Sequence, residues 1–291
     1  MILNVLAGVV ITIVLISGVF LFFIQDLALF HPNDSPDSWM YLTTRPEYKA
    51  VEFESNGKIW RGILRTSTSQ GTLPLILFFY GNAQNAAGAM RAMDAYGVWP
   101  YFLDYSCLIV DYAGYGADSG SRPSAKKMYE GALAAFDYAK ALSGFSRIIV
   151  GGYSIGTASA VYLAAHRKTD GLFLLAPFSN VYDMFNSVVP VFHGPLRLLV
   201  KHRFLSDEFA KSVTVPVLLV ASRDDKLIPF ALPEKLNKCF GGETSFVALS
   251  GVGHGEILFN QASLESVRKY LEKLQTQEKE PQITRIIKDL H

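Results

Sequence analysis

The hydrophobic positions separate one long apolar segment at the N-terminus from a region of shorter, alternating segments. Ile2–Ile24 is apolar apart from three polar residues, Asn4, Thr12 and Ser17. As a helix it would be roughly 35 Å long, enough to cross the ~30 Å hydrocarbon core of a bilayer. The run is too long for the apolar region of a signal peptide, and no Lys or Arg precedes it. We therefore predict an uncleaved transmembrane anchor over residues 1–25.

Farther along, short apolar runs alternate with helical stretches. A hairpin of Val51–Glu54 and Ile59–Leu64 is predicted around Asn56-Gly57, a pair that favours hairpin turns. Continuous apolar runs predict strands buried on both faces at Pro74–Tyr80, Ser106–Tyr112, Arg147–Tyr153, Gly171–Pro177, Val215–Ser222 and Thr244–Leu249. Helices are predicted at Ala86–Tyr96, Ala125–Ala141, Thr157–His166, Leu232–Asn237 and Ala262–Leu274. The alternation predicts a mostly parallel α/β sheet with helices on both faces.

Three further segments complete the predicted domain organisation. Turn-forming residues between His31 and Ser38 indicate a linker over residues 26–45, before a domain over residues 46–274. Within that domain, the segment over residues 178–214 is longer than a simple crossover connection between two strands. We expect them to form a small cap insertion near the edge of the sheet where ligands bind.

The last segment, residues 275–291, is predicted to be a polar tail with a short amphipathic helix. Ile283, Ile286, Ile287 and Leu290 fall on one helical face. That face either docks on the domain or contacts a membrane or a partner.

Composition narrows the function classes. Half of the 291 residues are apolar and 18% are charged, which excludes a disordered chain. The 27 basic and 26 acidic residues nearly cancel, so no basic field indicates a nucleic-acid partner. Two cysteines are too few for a disulfide scaffold or a multi-cysteine metal site. The oligomeric state stays open.

The charges that flank the apolar segment distinguish little between its two orientations. Asp26, Asp34 and Asp37 follow it closely, with Arg45 and Lys49 farther away. Because basic residues favour the cytoplasmic side, this distribution favours placement of the domain over residues 46–274 outside the cytoplasm.

The first chemical signal is Gly152-Tyr153-Ser154-Ile155-Gly156, which matches the G-x-S-x-G nucleophile elbow. It stands between a predicted strand and a predicted helix, the arrangement that the motif requires. The turn exposes the Ser154 hydroxyl, and a Cβ at either glycine would collide with the neighbouring strand or helix. Ser154 is therefore the candidate nucleophile.

A serine hydroxyl needs a base, and that base needs an orienting carboxylate. Among six histidines, His254 lies in a glycine-rich loop after the last predicted strand and is the candidate base. Asp224 and Asp225 follow the preceding strand, and adjacent residues cannot both face His254. The order serine, aspartate, histidine is the α/β-hydrolase order.

An acyl-transfer site also needs donors for the oxyanion. We assign them to the backbone amide of Ile155 and to that of Asn82, in the loop after Pro74–Tyr80. Gly81 lets this loop approach the nucleophile closely.

These motifs resemble the membrane-anchored, depalmitoylase-like branch of the α/β-hydrolases, over about residues 45–274. Tyr80-Gly81-Asn82-Ala83-Gln84-Asn85 is similar to the His-Gly-Asn-Ala-Gly-Asn of that family, and Asp111-Tyr112-Ala113-Gly114-Tyr115-Gly116 to its Asp-Tyr-Arg-Gly-Tyr-Gly. Arg203-Phe204 matches a pair in its insertion. The family's acid motif selects Asp225-Lys226-Leu227-Ile228-Pro229, and therefore Asp225. Tyr80 and Ala113 depart from the family pattern, which affects the inferred substrate class.

The leading hypothesis is thus a membrane-anchored serine hydrolase that cleaves a small or lipid-like acyl ester or thioester without a metal or organic cofactor. Tyr80, Tyr153 and Phe178 are the candidate substrate-pocket residues, with other aromatic residues of the insertion. Two alternatives stay open: an aminopeptidase-like serine peptidase of the same fold, and a non-catalytic binding or scaffold protein.

Overall fold

The computed structural model describes residues 8, 12, 18, 22–33, 36–118 and 120–289, with the backbone alone for residues 36, 117 and 277–289. The predicted anchor over residues 1–25 therefore lies mostly outside the described residues. Within the described part of the chain, no helix combines the length and the apolar character needed to cross a bilayer.

One eight-stranded sheet organises the described chain. Its strands are β1 (Tyr48–Ser55), β2 (Lys58–Arg65), β3 (Leu73–Phe79), β4 (Ser106–Val110), β5 (Phe145–Tyr153), β6 (Gly171–Leu175), β7 (Val217–Ser222) and β8 (Thr244–Leu249). Their spatial order is β1-β2-β4-β3-β5-β6-β7-β8. Strand β2 runs antiparallel to both of its neighbours, and every other neighbouring pair is parallel. The mostly parallel sheet and its opening hairpin are confirmed.

The helices that precede, connect and follow these strands are α1 (Pro36–Thr43), α2 (Ala86–Ala95), α3 (Ala125–Ala141), α4 (Gly156–His166), α5 (Val181–Val188), α6 (Ser206–Ala210), α7 (Ala231–Asn237) and α8 (Gln261–Asp289). Residues 22–29 are also helical. The starts of α2 and α3 are fixed by side-chain caps, in which Asn85 and Ser124 accept from the amides of Gly88 and Lys127.

Every residue of β4, β6 and β7 is buried, as expected for strands covered by helices on both faces. Since β3, β5, β6, β7 and β8 are parallel neighbours, their carboxyl ends meet at one edge of the sheet. The loops that carry the candidate site residues all leave from this edge.

The segment over residues 178–214 contains α5, a 3₁₀ helix at Gly194–Leu199, and α6. Its two ends meet where the Asp207 amide donates to the Ser179 carbonyl at 2.9 Å. It leaves the sheet directly after β6, beside the strand that ends at the nucleophile elbow.

The predicted linker contains structure that its turn residues did not indicate. Pro36 and Asp37 start α1, because proline suits a first helical position and an acidic side chain suits a helix N-terminus. The helix is held against α2, since Tyr41 Oη donates to Asp94 Oδ2 at 2.8 Å and Arg45 Nη1 lies 2.6 Å from the same oxygen.

The predicted short tail helix is instead the continuation of α8, which runs without a break to Asp289. Most residues between 275 and 280 have high helix propensity, so nothing there ends the helix. The side chains of Ile283, Ile286 and Ile287, and Leu290 as a whole, lie outside the description.

Candidate active site

Ser154 occupies the tight turn between β5 and α4. Its φ of +54° lies in the left-handed region that residues with a Cβ rarely adopt. The turn is held by its neighbours: the Ser154 amide donates to the Leu175 carbonyl at 2.9 Å, and Thr157 Oγ1 donates to the Ser154 carbonyl at 2.6 Å. The predicted strand–turn–helix context is present.

The two motif glycines are required by close approach of other backbone. A Cβ on Gly156 would lie 2.2 Å from the Phe79 carbonyl oxygen at the end of β3. A Cβ on Gly152 would lie 2.9 Å from the Gly156 carbonyl oxygen. These are the collisions with strand and helix that the motif predicts.

Three side chains that are far apart in sequence form one hydrogen-bonded line. His254 Nε2 lies 3.0 Å from Ser154 Oγ, and His254 Nδ1 lies 2.7 Å from Asp225 Oδ2. Because a carboxylate only accepts, Nδ1 carries the imidazole hydrogen and Nε2 faces the hydroxyl as an acceptor. The structure brings together all three predicted residues, Ser154, Asp225 and His254.

Asp225 is itself held by two backbone donors. Its Oδ1 accepts from the amides of Leu227 at 2.8 Å and Ile228 at 2.9 Å. Burial by itself raises the pKa of this carboxyl, but the hydrogen bonds from His254 and these amides outweigh it and lower the pKa below its ordinary value. Asp225 is therefore a fixed negative charge beside the imidazole.

The neighbouring aspartate has a different position. Asp224 is exposed, and its Oδ2 accepts from the Gly251 amide at 2.6 Å. It thus holds the loop that leads to His254 without contacting the imidazole.

The predicted oxyanion donors flank the nucleophile. In the described part of the chain, no hydrogen bond is donated by the backbone amide of Asn82 or of Ile155. The Gly81–Asn82 loop lies beside Ser154, since a Cβ on Gly81 would be 3.7 Å from Ser154 Cβ. Ile155 directly precedes α4, whose N-terminus adds a partial positive charge. Both amides are therefore available to an anion near Ser154.

The segment before α1 contacts this loop, which the sequence did not indicate. Asn82 Oδ1 accepts from the His31 amide at 2.9 Å and from Tyr115 Oη at 2.8 Å. Asn82 Nδ2 lies 3.0 Å from the Leu29 carbonyl oxygen and 2.8 Å from His31 Nδ1. These contacts involve backbone groups and loop residues, which produce no periodic signal in a sequence.

The three predicted pocket residues are placed differently from the expectation. Tyr80 is fully buried, and its ring packs against that of Tyr112 at a tilt of 34°, with centroids 4.3 Å apart. Phe178 is buried at the start of the insertion, where its ring packs against Phe204. Neither side chain offers a surface to a ligand in this conformation.

Tyr153, the third of them, supports the histidine loop. Its hydroxyl donates to the His254 carbonyl at 2.8 Å, and its ring stacks on the imidazole with centroids 5.5 Å apart. Burial raises the pKa of Tyr153, so the hydroxyl remains a donor. Its observed contacts are those of a positioning residue.

Tyr80 belongs to a buried cluster beside the Gly81–Asn82 loop. Its hydroxyl lies 3.4 Å from Asp111 Oδ1, and that oxygen also accepts from the Ala86 amide at 2.6 Å. Tyr112 Oη donates to the Tyr80 carbonyl at 2.7 Å. The Asp-Tyr motif therefore supports the loop that carries Asn82 from below.

Comparisons with known proteins found relatives in sequence and in structure. A family model described as TAP-like protein matches residues 200–282. An uncharacterized protein of Mycobacterium tuberculosis is 35% identical over 211 residues, covering 70% of this chain and 72% of that protein. The lysophosphatidylserine lipase ABHD12 of Rattus norvegicus is 32% identical over 189 residues, covering 60% of this chain and 47% of the lipase. The chain thus spans about half the length of that lipase.

Solved structures show the same fold. Est1E from Butyrivibrio proteoclasticus superposes with a TM-score of 0.60 at 19% identity, covering 78% of this chain and 98% of Est1E. The 2,6-dihydroxy-pseudo-oxynicotine hydrolase superposes with a TM-score of 0.66 at 16% identity, covering 81% and 71% of the two chains. The sheet order, the turn at Ser154 and these relatives together show that the chain belongs to the α/β-hydrolase superfamily.

Proposed function

We propose that this protein is a membrane-anchored serine hydrolase that cleaves acyl esters or thioesters through an acyl-enzyme. The observation that carries the proposal is the continuous line from Ser154 Oγ through the His254 imidazole to Asp225 Oδ2, with contacts of 3.0 and 2.7 Å. Such a line makes an alcohol nucleophilic at neutral pH, because its proton has a base and the resulting imidazolium has a counter-charge.

In the first half-reaction, Ser154 Oγ attacks the acyl carbonyl carbon while its proton moves to His254 Nε2. The carbonyl oxygen becomes an oxyanion, which accepts from the amides of Asn82 and Ile155. When the tetrahedral intermediate collapses, the bond to the leaving group breaks and His254 returns the proton to the leaving alcohol or thiol.

In the second half-reaction, His254 takes a proton from a water molecule, whose oxygen attacks the acyl carbon. The intermediate collapses with release of the carboxylic acid, and the proton returns to Ser154 Oγ. Asp225 stays ionised throughout, since its lowered pKa keeps it a carboxylate while it stabilises the imidazolium.

The proposed substrate class is an ester of a single long acyl chain. The similarity to lysophosphatidylserine lipases supports a single-chain phospholipid as a candidate, and the apolar N-terminal segment supports an enzyme that works at a membrane. The anchor over residues 1–25 and the placement of the catalytic domain outside the cytoplasm belong to this proposal.

A fluorophosphonate probe tests the nucleophile, because it labels an activated serine and leaves ordinary serines unmodified. We expect the full-length protein to be labelled and the Ser154→Ala variant to remain unlabelled. Ser266→Ala is the matched control, since Ser266 is a half-buried serine on α8 whose hydroxyl donates to the Ala262 carbonyl, and it should be labelled like the wild type. Labelling that persists in Ser154→Ala would refute the assignment.

A substrate panel tests the reaction class. Wild-type protein is assayed with p-nitrophenyl esters of increasing chain length, an acyl thioester, lysophosphatidylserine and aminoacyl anilides. We expect hydrolysis of the oxygen or sulfur esters and loss of that activity in Ser154→Ala. Turnover of the anilides alone would indicate a peptidase, and binding without turnover would indicate a scaffold protein.

A further inference from the structure

Exposed apolar side chains are concentrated in one part of the described chain. Of the fourteen large hydrophobic residues that are exposed there, nine lie in two short segments, residues 22–27 and 188–198. Leu27 is 74% exposed, Val188 81% and Leu198 72%. Single exposed apolar residues are ordinary, whereas a contiguous group of them marks a contact with another apolar phase.

The two segments are neighbours in space. Gln25 Nε2 donates to the Leu199 carbonyl at 2.8 Å, and Gln25 Oε1 accepts from the Lys201 amide at 2.9 Å. Asp26 forms an ion pair with Lys201 at 2.6 Å. The exposed residues of both segments therefore belong to one surface, which we call the apolar surface and define as residues 22–27 with residues 188–198.

The polar boundary of this surface coincides with the end of the apolar N-terminal segment. Asp26, the first charged residue of the chain, forms the ion pair with Lys201. The side chain of Leu199 lies beside Gly18, because its Cδ2 would be 4.0 Å from a Cβ placed on that glycine. Leu199 therefore contacts both Gln25, through its carbonyl, and Gly18, which stands seven residues earlier in the apolar segment. The insertion thus extends along the segment that we propose to be in the bilayer.

The apolar surface also borders the candidate site. The insertion begins just after Leu175, whose carbonyl accepts the Ser154 amide, and the chain that follows residues 22–27 contacts Asn82 through Leu29 and His31. The nucleophile is therefore linked to this surface on one side through residues 28–31 and on the other side through residues 176–187, which include most of α5.

We propose that the apolar surface lies in the lipid bilayer, so that substrates enter the active site from the membrane by their acyl chains. The entry of acyl substrates rests on the proposed function, whereas the position of the apolar surface in the bilayer depends only on the residues of that surface. A bilayer is the occupant that fits, because the same surface continues into the uncharged segment before Gln25, and the Asp26–Lys201 ion pair lies where that uncharged segment ends.

Fluorescence in vesicles tests the placement independently of activity. Full-length Leu198→Trp and Leu103→Trp variants are reconstituted into phosphatidylcholine vesicles with or without brominated acyl chains, and wild-type emission is subtracted. Leu103 is the matched control, because it is 56% exposed and precedes β4 at the opposite edge of the sheet. We expect brominated lipid to quench the emission added by Leu198→Trp and to leave that added by Leu103→Trp unchanged.

Equal emission from Leu198→Trp in vesicles with and without brominated acyl chains would overturn the proposal. Emission that is shifted to the blue, unquenched and dependent on protein concentration would overturn it in favour of a second copy of the chain. Either result leaves fluorophosphonate labelling of Ser154 unaffected, so a failure of this proposal is distinguishable from a failure of the proposed function.

Kinetics give a second readout. The ratio of hydrolysis of a vesicle-embedded long-chain ester to hydrolysis of a soluble short-chain ester is measured in full-length protein. We expect Leu198→Asp to lower this ratio by about tenfold, since a charge opposes the contact of Leu198 with lipid, and Leu103→Asp to leave it unchanged. An unchanged ratio in Leu198→Asp would contradict entry from the membrane.

A separate observation concerns His31, which lies far from the triad in sequence. Every polar atom of the Asn82 side chain is used: Oδ1 accepts the His31 amide, and Nδ2 contacts His31 Nδ1 at 2.8 Å and the Leu29 carbonyl. Because the amide of an Asn side chain donates, Nδ1 of His31 is the acceptor in this pair. We infer that His31 is a positioning residue, which orients the Asn82 backbone amide for the proposed oxyanion.

Two variants of His31 test this inference. His31→Ala removes the acceptor, whereas His31→Asn places an amide oxygen near the position of Nδ1. We expect His31→Ala to lower kcat by about tenfold with KM unchanged, the effect of one hydrogen bond, and His31→Asn to restore most of it. In parallel, amide hydrogen exchange of residues 80–85 should rise in His31→Ala and not in His31→Asn. Unchanged exchange in His31→Ala would overturn the inference whether or not a substrate has been found.

Discussion

At the scale of single residues, the adjacent aspartates Asp224 and Asp225 make different contacts in the site. Asp225 turns one oxygen to His254 and the other to two backbone amides, while Asp224 next to it is exposed and holds Gly251. The sequence alone left both aspartates open, because a turn after a strand does not reveal which of two successive side chains faces inward. The resemblance to a known acid motif selected Asp225, and the geometry agrees.

This difference predicts the effect of removing each charge. Asp225→Asn keeps the volume but replaces the acceptor that fixes the imidazole tautomer, so kcat should fall by about 10⁴-fold. Asp224→Asn, the matched control, keeps an oxygen that can accept from Gly251 and should retain activity within about threefold. Ester hydrolysis under saturating substrate measures both, and similar losses in the two variants would contradict the assignment.

Close packing at the elbow gives a second prediction at this scale. Gly156→Ala forces a Cβ against the Phe79 carbonyl oxygen, so the turn must shift and fluorophosphonate labelling of Ser154 should be lost. Gly120→Ala is the control, because a Cβ there meets no atom within 4 Å and its φ is not in the left-handed region. The measurement is the rate of fluorophosphonate labelling of the two folded variants. Normal labelling of Gly156→Ala would show that the elbow tolerates a side chain at this position.

At the scale of elements, hydrophobic patterning predicted the strands and helices well, because continuous apolar runs in buried parallel strands are distinct from their surroundings. It was less informative about contacts between elements. Whether Tyr80 and Phe178 face a ligand or the interior depends on the packing of other segments, and both proved buried. The packing of residues 29–33 against the Gly81–Asn82 loop depends on hydrogen bonds of the Asn82 side chain to Leu29 and His31, which no hydrophobic pattern encodes.

The contact between residues 22–29 and the insertion should respond to pH. Burial lowers the pKa of His202, although its hydrogen bond to Asp26 at 2.7 Å opposes this, and the nearby Lys201 charge lowers it further. The unfolded chain binds a proton on this group more readily than the folded one. Stability from this group is therefore complete above about pH 6.5 and is lost as the pH falls from there towards the folded pKa.

Thermal unfolding of the full-length protein between pH 8 and pH 5 tests this expectation. The Tm should fall on the acid side, and His202→Gln, which offers Asp26 a neutral donor, should show a smaller fall. Parallel curves for wild type and His202→Gln would exclude His202 as the source of the pH dependence.

At the scale of the whole molecule, residues 30–33 pack against the hydrolase domain as part of it. Phe30 is 4% exposed, its ring packs edge-on against His202 with centroids 4.8 Å apart, and Asn33 receives the amide of Gly116 on its carbonyl. The sequence predicted a linker in this region from its turn residues. Turn residues indicate where a chain changes direction and carry no information about what it then contacts.

Two truncations test this integration. A chain that begins at residue 22 keeps these contacts, and we expect it to retain the Tm and the soluble-ester activity of the full chain. A chain that begins at residue 34 loses Phe30 and the bonds to Asn82, so its Tm should drop by about 5 °C or more and its kcat should fall. Equal Tm and kcat for the two truncations would show that residues 22–33 are dispensable.

The contacts of residues 29–33 with the Asn82 loop have a consequence for a protein that is anchored through residues 1–25, as we propose. A protease that cuts before Gln25 would shed a competent hydrolase, whereas one that cuts after Asn33 would shed a fragment without the support of its oxyanion loop. The place of the cut would therefore decide between relocating the activity and ending it.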